Sequence, residues 1–323
     1  MKKYILLYGD KKPEDNICLT NMFENNKQIN LIWSDFDYNY NIKVIDEEIK
    51  NGVKEIILAG FEIGWDKMVI DIKNKYPKIE IKVICNTQDS LLYYEYEREN
   101  FLKLLELSKK EIVKDIAFLR KGQYETYKTL GYKCSYLKEN YCLDKDNKIK
   151  PQKETSKTEI GIYPLNYTWD KNIFNQLCVA KFIDNCNLNY NCLDSRMKEF
   201  LDTMDIKNNP EKIEIISAEK IIEKIVKNDI IISTSFTEYM HPIFFISMEL
   251  GIPCLIGNNS DFFNEDSELK KCIVTSAEDN AIINSKMIQN ILNNREKIIE
   301  MYREWKELYN EQAKESIETF INN

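Results

Sequence analysis

A chain of 323 residues, 43% hydrophobic and 30% charged, is long enough for two domains of ordinary size and too apolar to be disordered. Its formal net charge of −8 argues against a general nucleic-acid binder. Nine scattered cysteines, none in C-x-x-C spacing, argue against a zinc site and fit a reducing, cytoplasmic setting.

Met1–Gly9 is too short for a signal peptide and reads as a first strand, and no apolar run has the length of a membrane span. Short β-branched runs predict strands at Tyr4–Tyr8, Ile29–Trp33, Glu55–Ala59, Ile79–Cys85, Asp115–Leu119 and Lys133–Leu137. Helical periods fall at Trp65–Lys75, Leu91–Leu107 and Gly122–Leu130, with Trp65, Tyr93, Tyr94 and Tyr96 read as packing residues of helices. Alternation of this kind implies a mostly parallel sheet.

The pattern stops at a polar, Pro-containing stretch around residues 144–157. It then restarts. Strands are predicted at Glu159–Tyr163, Leu188–Cys192, Lys212–Ile216, Asp229–Ser233, Cys254–Ile256 and Lys271–Thr275. Helices are predicted at Asp170–Asp184, Ser195–Met204, Ala218–Val226, Asp279–Leu292 and Arg295–Ile321. The division expected is an α/β domain over residues 1–145, a linker over 146–157, a second α/β domain over 158–300 and a closing helix over 301–323.

Residues 229–258 hold the strongest candidate site. A strand runs into Ser235-Phe-Thr-Glu238, then the only histidine, His241, then an apolar helix that ends at Gly251-Ile-Pro253. Carboxyl ends of strands in open α/β sheets are where ligands bind, and a helix start offers backbone N–H groups to an anion. Capping of the helix by Ser235 or Thr237 is the plainer alternative. Lys171 opens the first helix after the linker-following strand and suits a diphosphate. The triplets Asp35-Phe-Asp37 and Asp144-Lys-Asp146 arise by chance among 53 acidic residues, so no metal is expected. One glycine in Gly9-Asp-Lys-Lys-Pro13 makes no dinucleotide fingerprint.

With these residues the chain resembles a divergent member of the group-1 family of retaining GT-B-fold glycosyltransferases. Ser235-Phe-Thr-Glu238 is similar to the family's Ser-x-x-Glu, Gly251-Ile-Pro253 to its Gly-x-Pro, and Lys171 to its diphosphate lysine. The closing helix resembles the one that crosses back to the first domain. The resemblance implies two Rossmann-like domains facing across a cleft, with the donor against the second and the acceptor against the first. It implies catalytic roles for Glu238 and His241, and donor contacts at Lys171, Asn166, Ser217, Ser235, Thr237 and Ile246. Three departures stand out. The family's first diphosphate cation falls at the neutral Asn166, its second glutamate, which would hold the donor ribose, falls at Ile246, and the first domain has no histidine.

The activity implied is metal-independent transfer of a sugar from a nucleotide-sugar such as a UDP- or GDP-sugar, with no cofactor, to a surface polysaccharide, glycolipid or protein. Peripheral attachment at the inner membrane face and homo- or hetero-oligomer formation stay open. So do two other readings: a degenerate subunit supporting a partner glycosyltransferase, and a nucleotide-sugar epimerase.

Overall fold

The computed structural model describes residues 4–9, 23, 27–31, 38–139, 156–164, 167–191, 194–206, 208–210, 218–238 and 242–323. These form two compact units, the first of Met1–Cys142 with Tyr309–Asn323, the second of Leu143–Leu308. The chain passes from the second unit back to the first inside its last helix.

Unit 1 is built on a parallel sheet of six strands among the described residues, in the order β2-β1-β3-β4-β5-β6. They are β1 (Tyr4–Gly9), β2 (Lys27–Leu31), β3 (Glu55–Ala59), β4 (Glu80–Cys85), β5 (Asp115–Phe118) and β6 (Cys134–Tyr136). β3 and β5 are buried at every position, and after an acidic first residue, Glu55 and Asp115, each reads as a continuous apolar run rather than an alternating one. Helices α1 (Tyr38–Lys50), α2 (Trp65–Lys75), α3 (Glu95–Lys109) and α4 (Lys121–Thr129) accompany the sheet. α2 buries Trp65, Met68, Val69 and Ile72, one face at a spacing of three and four.

Two sequence expectations change here. The helix start expected at Leu91 is a 3-10 turn, Asp89–Tyr93, and α3 begins only at Glu95. Trp65 is core, but Tyr93 and Tyr96 stand at the surface, 77% and 54% exposed. They precede or open the helix and miss the face that carries Phe101, Leu104 and Leu105 inward. Helix α1 has no counterpart in the predicted elements.

Unit 2 carries a parallel sheet in the order β12-β11-β10-β7-β8-β9. The strands are β7 (Thr158–Ile162), β8 (Cys186–Tyr190), β9 (Asn208–Pro210), β10 (Ile230–Ser233), β11 (Cys254–Gly257) and β12 (Val274–Thr275). Counted within the unit this is the doubly wound order 3-2-1-4-5-6, which reverses direction between β7 and β10. The helices are α5 (Ile173–Val179), α6 (Ser195–Thr203), α7 (Ala218–Ile225), α8 (Pro242–Glu249), α9 (Glu268–Ile273), α10 (Ala281–Asn293) and α11 (Arg295–Asn322).

The strand expected at Lys271–Thr275 is mostly helix α9, because Ser267 caps it through a bond from the Lys270 N–H at 3.3 Å; only Val274 and Thr275 pair as strand. The helix expected at Asp170–Asp184 is broken at Asn172, which adopts the left-handed conformation with φ 52°. The strand expected at Lys212–Ile216 lies outside the described residues.

Helix α8 is buried from Ile243 to Met248 and, Ser247 apart, apolar over that run. Gly251, at φ 75°, ends it, with Gly251 N–H bonded to Met248 O and Ile252 N–H to Ser247 O. In α11, Ile298, Tyr302, Tyr309, Ala313, Ile317 and Phe320 form one buried stripe. Cys85 and Cys254 are buried free thiols, and burial pushes that of Cys85 up to about 12. Among the described residues no helix is long and apolar enough to cross a membrane.

Candidate functional site

The loop that leaves β10 at the direction reversal of the unit 2 sheet is fixed from both sides. After β7 the chain reaches a 3-10 turn, Trp169–Lys171, and then the left-handed Asn172. The Phe236 N–H donates to Asp170 O at 2.7 Å. The Asn172 amide donates to Thr234 O at 2.9 Å and to Glu278 O at 2.8 Å. On the other side the Asn259 amide donates to Ser235 O. A Cβ added at Gly257 would stand 2.8 Å from that same carbonyl, so the close approach of β11 requires glycine there.

These bonds bring Lys171 and Glu238 together. Lys171 Nζ donates to Glu238 Oε2 at 2.6 Å and stands 3.6 Å from Asp170 Oδ2. The two side chains of the close pair are 14% and 16% exposed, so the pair is sheltered but open to a solute. Trp169 and Phe236 each precede a member of the pair by two residues. Their rings lie 6.4 Å apart and are 56% and 42% exposed. Asp170 is nearly buried, and its Oδ1 has no hydrogen-bond partner among the described residues.

Sixty-seven residues separate Lys171 from Glu238, and the switch in strand order makes them neighbours. Ser235 and Thr237 are buried at 4% and 7% exposure. Ser235 serves the loop through its carbonyl. Ile246 is 6% exposed within the buried run of α8. Glu249, one turn on, accepts from Tyr302 Oη at 2.7 Å and pairs with Lys306, so it faces α11. Asn166, Ser217 and His241 lie outside the described residues. Asp170, Asn172, Asn259 and Glu278 are not among the candidate site residues that the sequence suggests. An asparagine one residue after a candidate lysine, at a point where a helix has to start afresh, was the available signal for Asn172.

Among the described residues no group of three or more His, Cys, Asp or Glu side chains could hold a metal ion. No family model and no curated protein matches the sequence. Solved structures do match. The chain is similar to the apo lipopolysaccharide outer core galactosyltransferase WaaB, at 11% identity over 98% of this chain and 99% of that one, with a TM-score of 0.63. The chain has the GT-B fold. Other solved structures that the chain is similar to are a sucrose-phosphate synthase from Thermosynechococcus elongatus (10% identity, 98% and 94% covered, TM-score 0.63) and a Listeria monocytogenes protein assigned as a UDP-N-acetylglucosamine 2-epimerase (10%, 94% and 91%, 0.55).

Proposed function

We propose that this GT-B protein is a glycosyltransferase that moves a sugar from a nucleotide-sugar donor to an acceptor, with retention and without a metal ion. The observation that carries the reading is the Lys171–Glu238 pair at the switch point of the unit 2 sheet. A lysine there is placed to take the diphosphate of a donor. A carboxylate beside it is placed to accept hydrogen bonds from sugar hydroxyls once the diphosphate has drawn the lysine away. Similarity to a galactosyltransferase and to a sucrose-phosphate synthase supports that use of the fold.

In this reading, departure of the nucleoside diphosphate builds positive charge on the sugar and negative charge on the leaving group. Lys171 offsets the latter in a partly dry site, where a fixed charge acts more strongly than in water. Glu238 orients the sugar, and His241 contacts the sugar or the phosphate. Asn166 and Ile246 supply no charge to the donor, so its affinity is expected to be weak. The acceptor is a surface polysaccharide, a glycolipid or a protein.

Incubation with UDP-, GDP- and TDP-sugars, followed by nucleotide separation and sugar NMR, tests the reading. Slow release of one nucleoside diphosphate is expected. The second reading is a nucleotide-sugar epimerase, which the likeness to the Listeria protein favours; an isomerised sugar would decide for it. Failure to bind any nucleotide would leave the degenerate subunit.

A further inference from the structure

Unit 1 has a surface at the carboxyl end of its own sheet that the proposed donor chemistry does not use. Beyond β4 the turn Asp89–Tyr93 leads through Tyr94 into α3. Tyr93 and Tyr94 meet edge to face with ring centroids 5.6 Å apart, and Tyr94 and Tyr96 lie 6.1 Å apart with planes inclined by 32°. Tyr93 and Tyr96 face water and Tyr94 between them is half-buried; such a contiguous set of large rings at a surface is uncommon and marks a contact site.

The backbone beneath these rings is held firmly. The Gln123 amide donates to Thr87 O at 3.0 Å and to Asp89 Oδ1 at 3.2 Å, and Tyr127 Oη donates to the same carboxylate oxygen at 3.3 Å. Thr87 Oγ1 donates to Glu97 Oε2 at 2.9 Å, and Arg98 donates to Leu92 O at 3.1 Å. Thr87 and Gln123 are 8% and 7% exposed, so the inner part of this network is a buried footing. Rings on such a footing lose little freedom when a ligand lands on them.

The rim is acidic. Glu95, Glu97 and Glu99 lie on the same segment, and Glu62, from the loop after β3, acts on Tyr96. After burial, Glu97 and Tyr94, its charge helps to push that phenol up. Arg98, the cation within the segment, is bonded to the Leu92 carbonyl. Such a rim disfavours phosphate headgroups and nucleic acid. It offers acceptors to hydroxyl donors, while ring faces and phenol hydroxyls suit a ligand with apolar C–H faces and polar edges.

We propose that Tyr93, Tyr94 and Tyr96, with Glu62 and Glu97, form a binding surface for a neutral oligosaccharide. Its role as acceptor site rests on the glycosyl-transfer reading; glycan binding itself does not. The test is capture of the full chain on an array of neutral and acidic glycans, alongside phosphatidylserine vesicles. Neutral glycans should retain the protein. Retention should fall at least tenfold in Tyr93→Ser/Tyr96→Ser, with melting unchanged, and should largely persist in Tyr93→Phe/Tyr96→Phe. Absence of neutral-glycan capture, equal capture by the serine variant, or preference for acidic glycans or vesicles would overturn it. Tyrosine-dependent capture without nucleotide release would sink the transferase reading alone, and nucleotide release with tyrosine-independent capture would sink this proposal alone.

Discussion

Lys82–Glu55 in unit 1 and Lys171–Glu238 in unit 2 are built from the same two side chains at nearly the same separation, 2.8 and 2.6 Å. Their surroundings are opposite. Lys82 and Glu55 are fully buried, and Lys82 Nζ also donates to the carbonyls of Phe320 at 2.7 Å and Ile321 at 3.1 Å. Lys82 lies within β4 and ties down the carboxyl end of α11. Lys171 lies beyond a strand, where it pairs with the sheltered but partly exposed Glu238 and stands near Asp170. Residue type does not separate a tie from a candidate site. Position along the strand and access to water do.

The largest effect is expected where the comparison is most one-sided. Lys82→Met leaves Glu55 buried without its cation and should cost about 3–5 kcal/mol of stability, read by urea unfolding. Adding Glu55→Leu should recover part of that loss, because the uncompensated charge goes too. A cost below about 1 kcal/mol for Lys82→Met, in the range of exposed pairs, would break the comparison.

Lys171→Ala should leave melting nearly unchanged and weaken UDP or GDP by about 1.5–3 kcal/mol, the worth of a charge-assisted bond. Calorimetry against the matching nucleosides checks this, and equal losses for nucleoside and diphosphate would remove Lys171 from the phosphate site. A smaller effect belongs to Glu238→Gln. With the Glu238 charge gone, Lys171 should bind the bare nucleoside diphosphate tighter by about 0.5–1 kcal/mol, while transfer falls. If instead the protein melts far lower and turnover per folded molecule is unchanged, Glu238 is structural.

The smallest effect concerns Asp115, the cross-strand neighbour of Lys82. Burial raises its carboxyl above the usual range, against a bond from Ser135 Oγ at 2.6 Å and the charge of Lys82. A raised carboxylate is more easily ionised in the unfolded chain, so its ionisation costs stability near neutral pH and not in acid. Asp115→Asn should therefore match or slightly exceed the parent in stability at pH 7. That advantage should fade as pH falls from the raised range of the folded carboxyl toward the ordinary carboxylate value, and be gone below it. Urea titrations of both proteins from pH 7 to pH 3 read the difference, and an advantage that grows in acid would reverse the sign.

Much of unit 2 was legible because its chemistry is local. Ser235-Phe-Thr-Glu238 follows an apolar strand and precedes an apolar helix, and Lys171 follows another strand, so both could be placed at sheet ends from pattern alone. The bonds that join them were not legible. Asn172 reaches Thr234 and Glu278 across 62 and 106 residues, and no periodicity encodes such a span. α1 was missed because Tyr38-Asn-Tyr-Asn-Ile42 opens with poor helix formers, and tertiary burial of Asn41, Ile45 and Glu48 overrides that propensity. The tyrosines after β4 read as packing because exposure depends on where a 3-10 turn gives way to a helix, which sequence spacing leaves ambiguous by several residues.

Helix α11 sets the order in which the molecule can be finished during synthesis. Unit 1 comprises residues 1–142 and 309–323, so one of its parts is made only after all of unit 2. At a translation speed of about 5–20 residues per second, the first part waits roughly ten seconds or more. Through that interval Lys82 lacks the carbonyls of Phe320 and Ile321, and the bed of that helix is open. A nascent chain of this design is expected to recruit a holdase at unit 1 while unit 2 emerges. Moving residues 309–323 ahead of residue 1 by circular permutation should shorten that dependence.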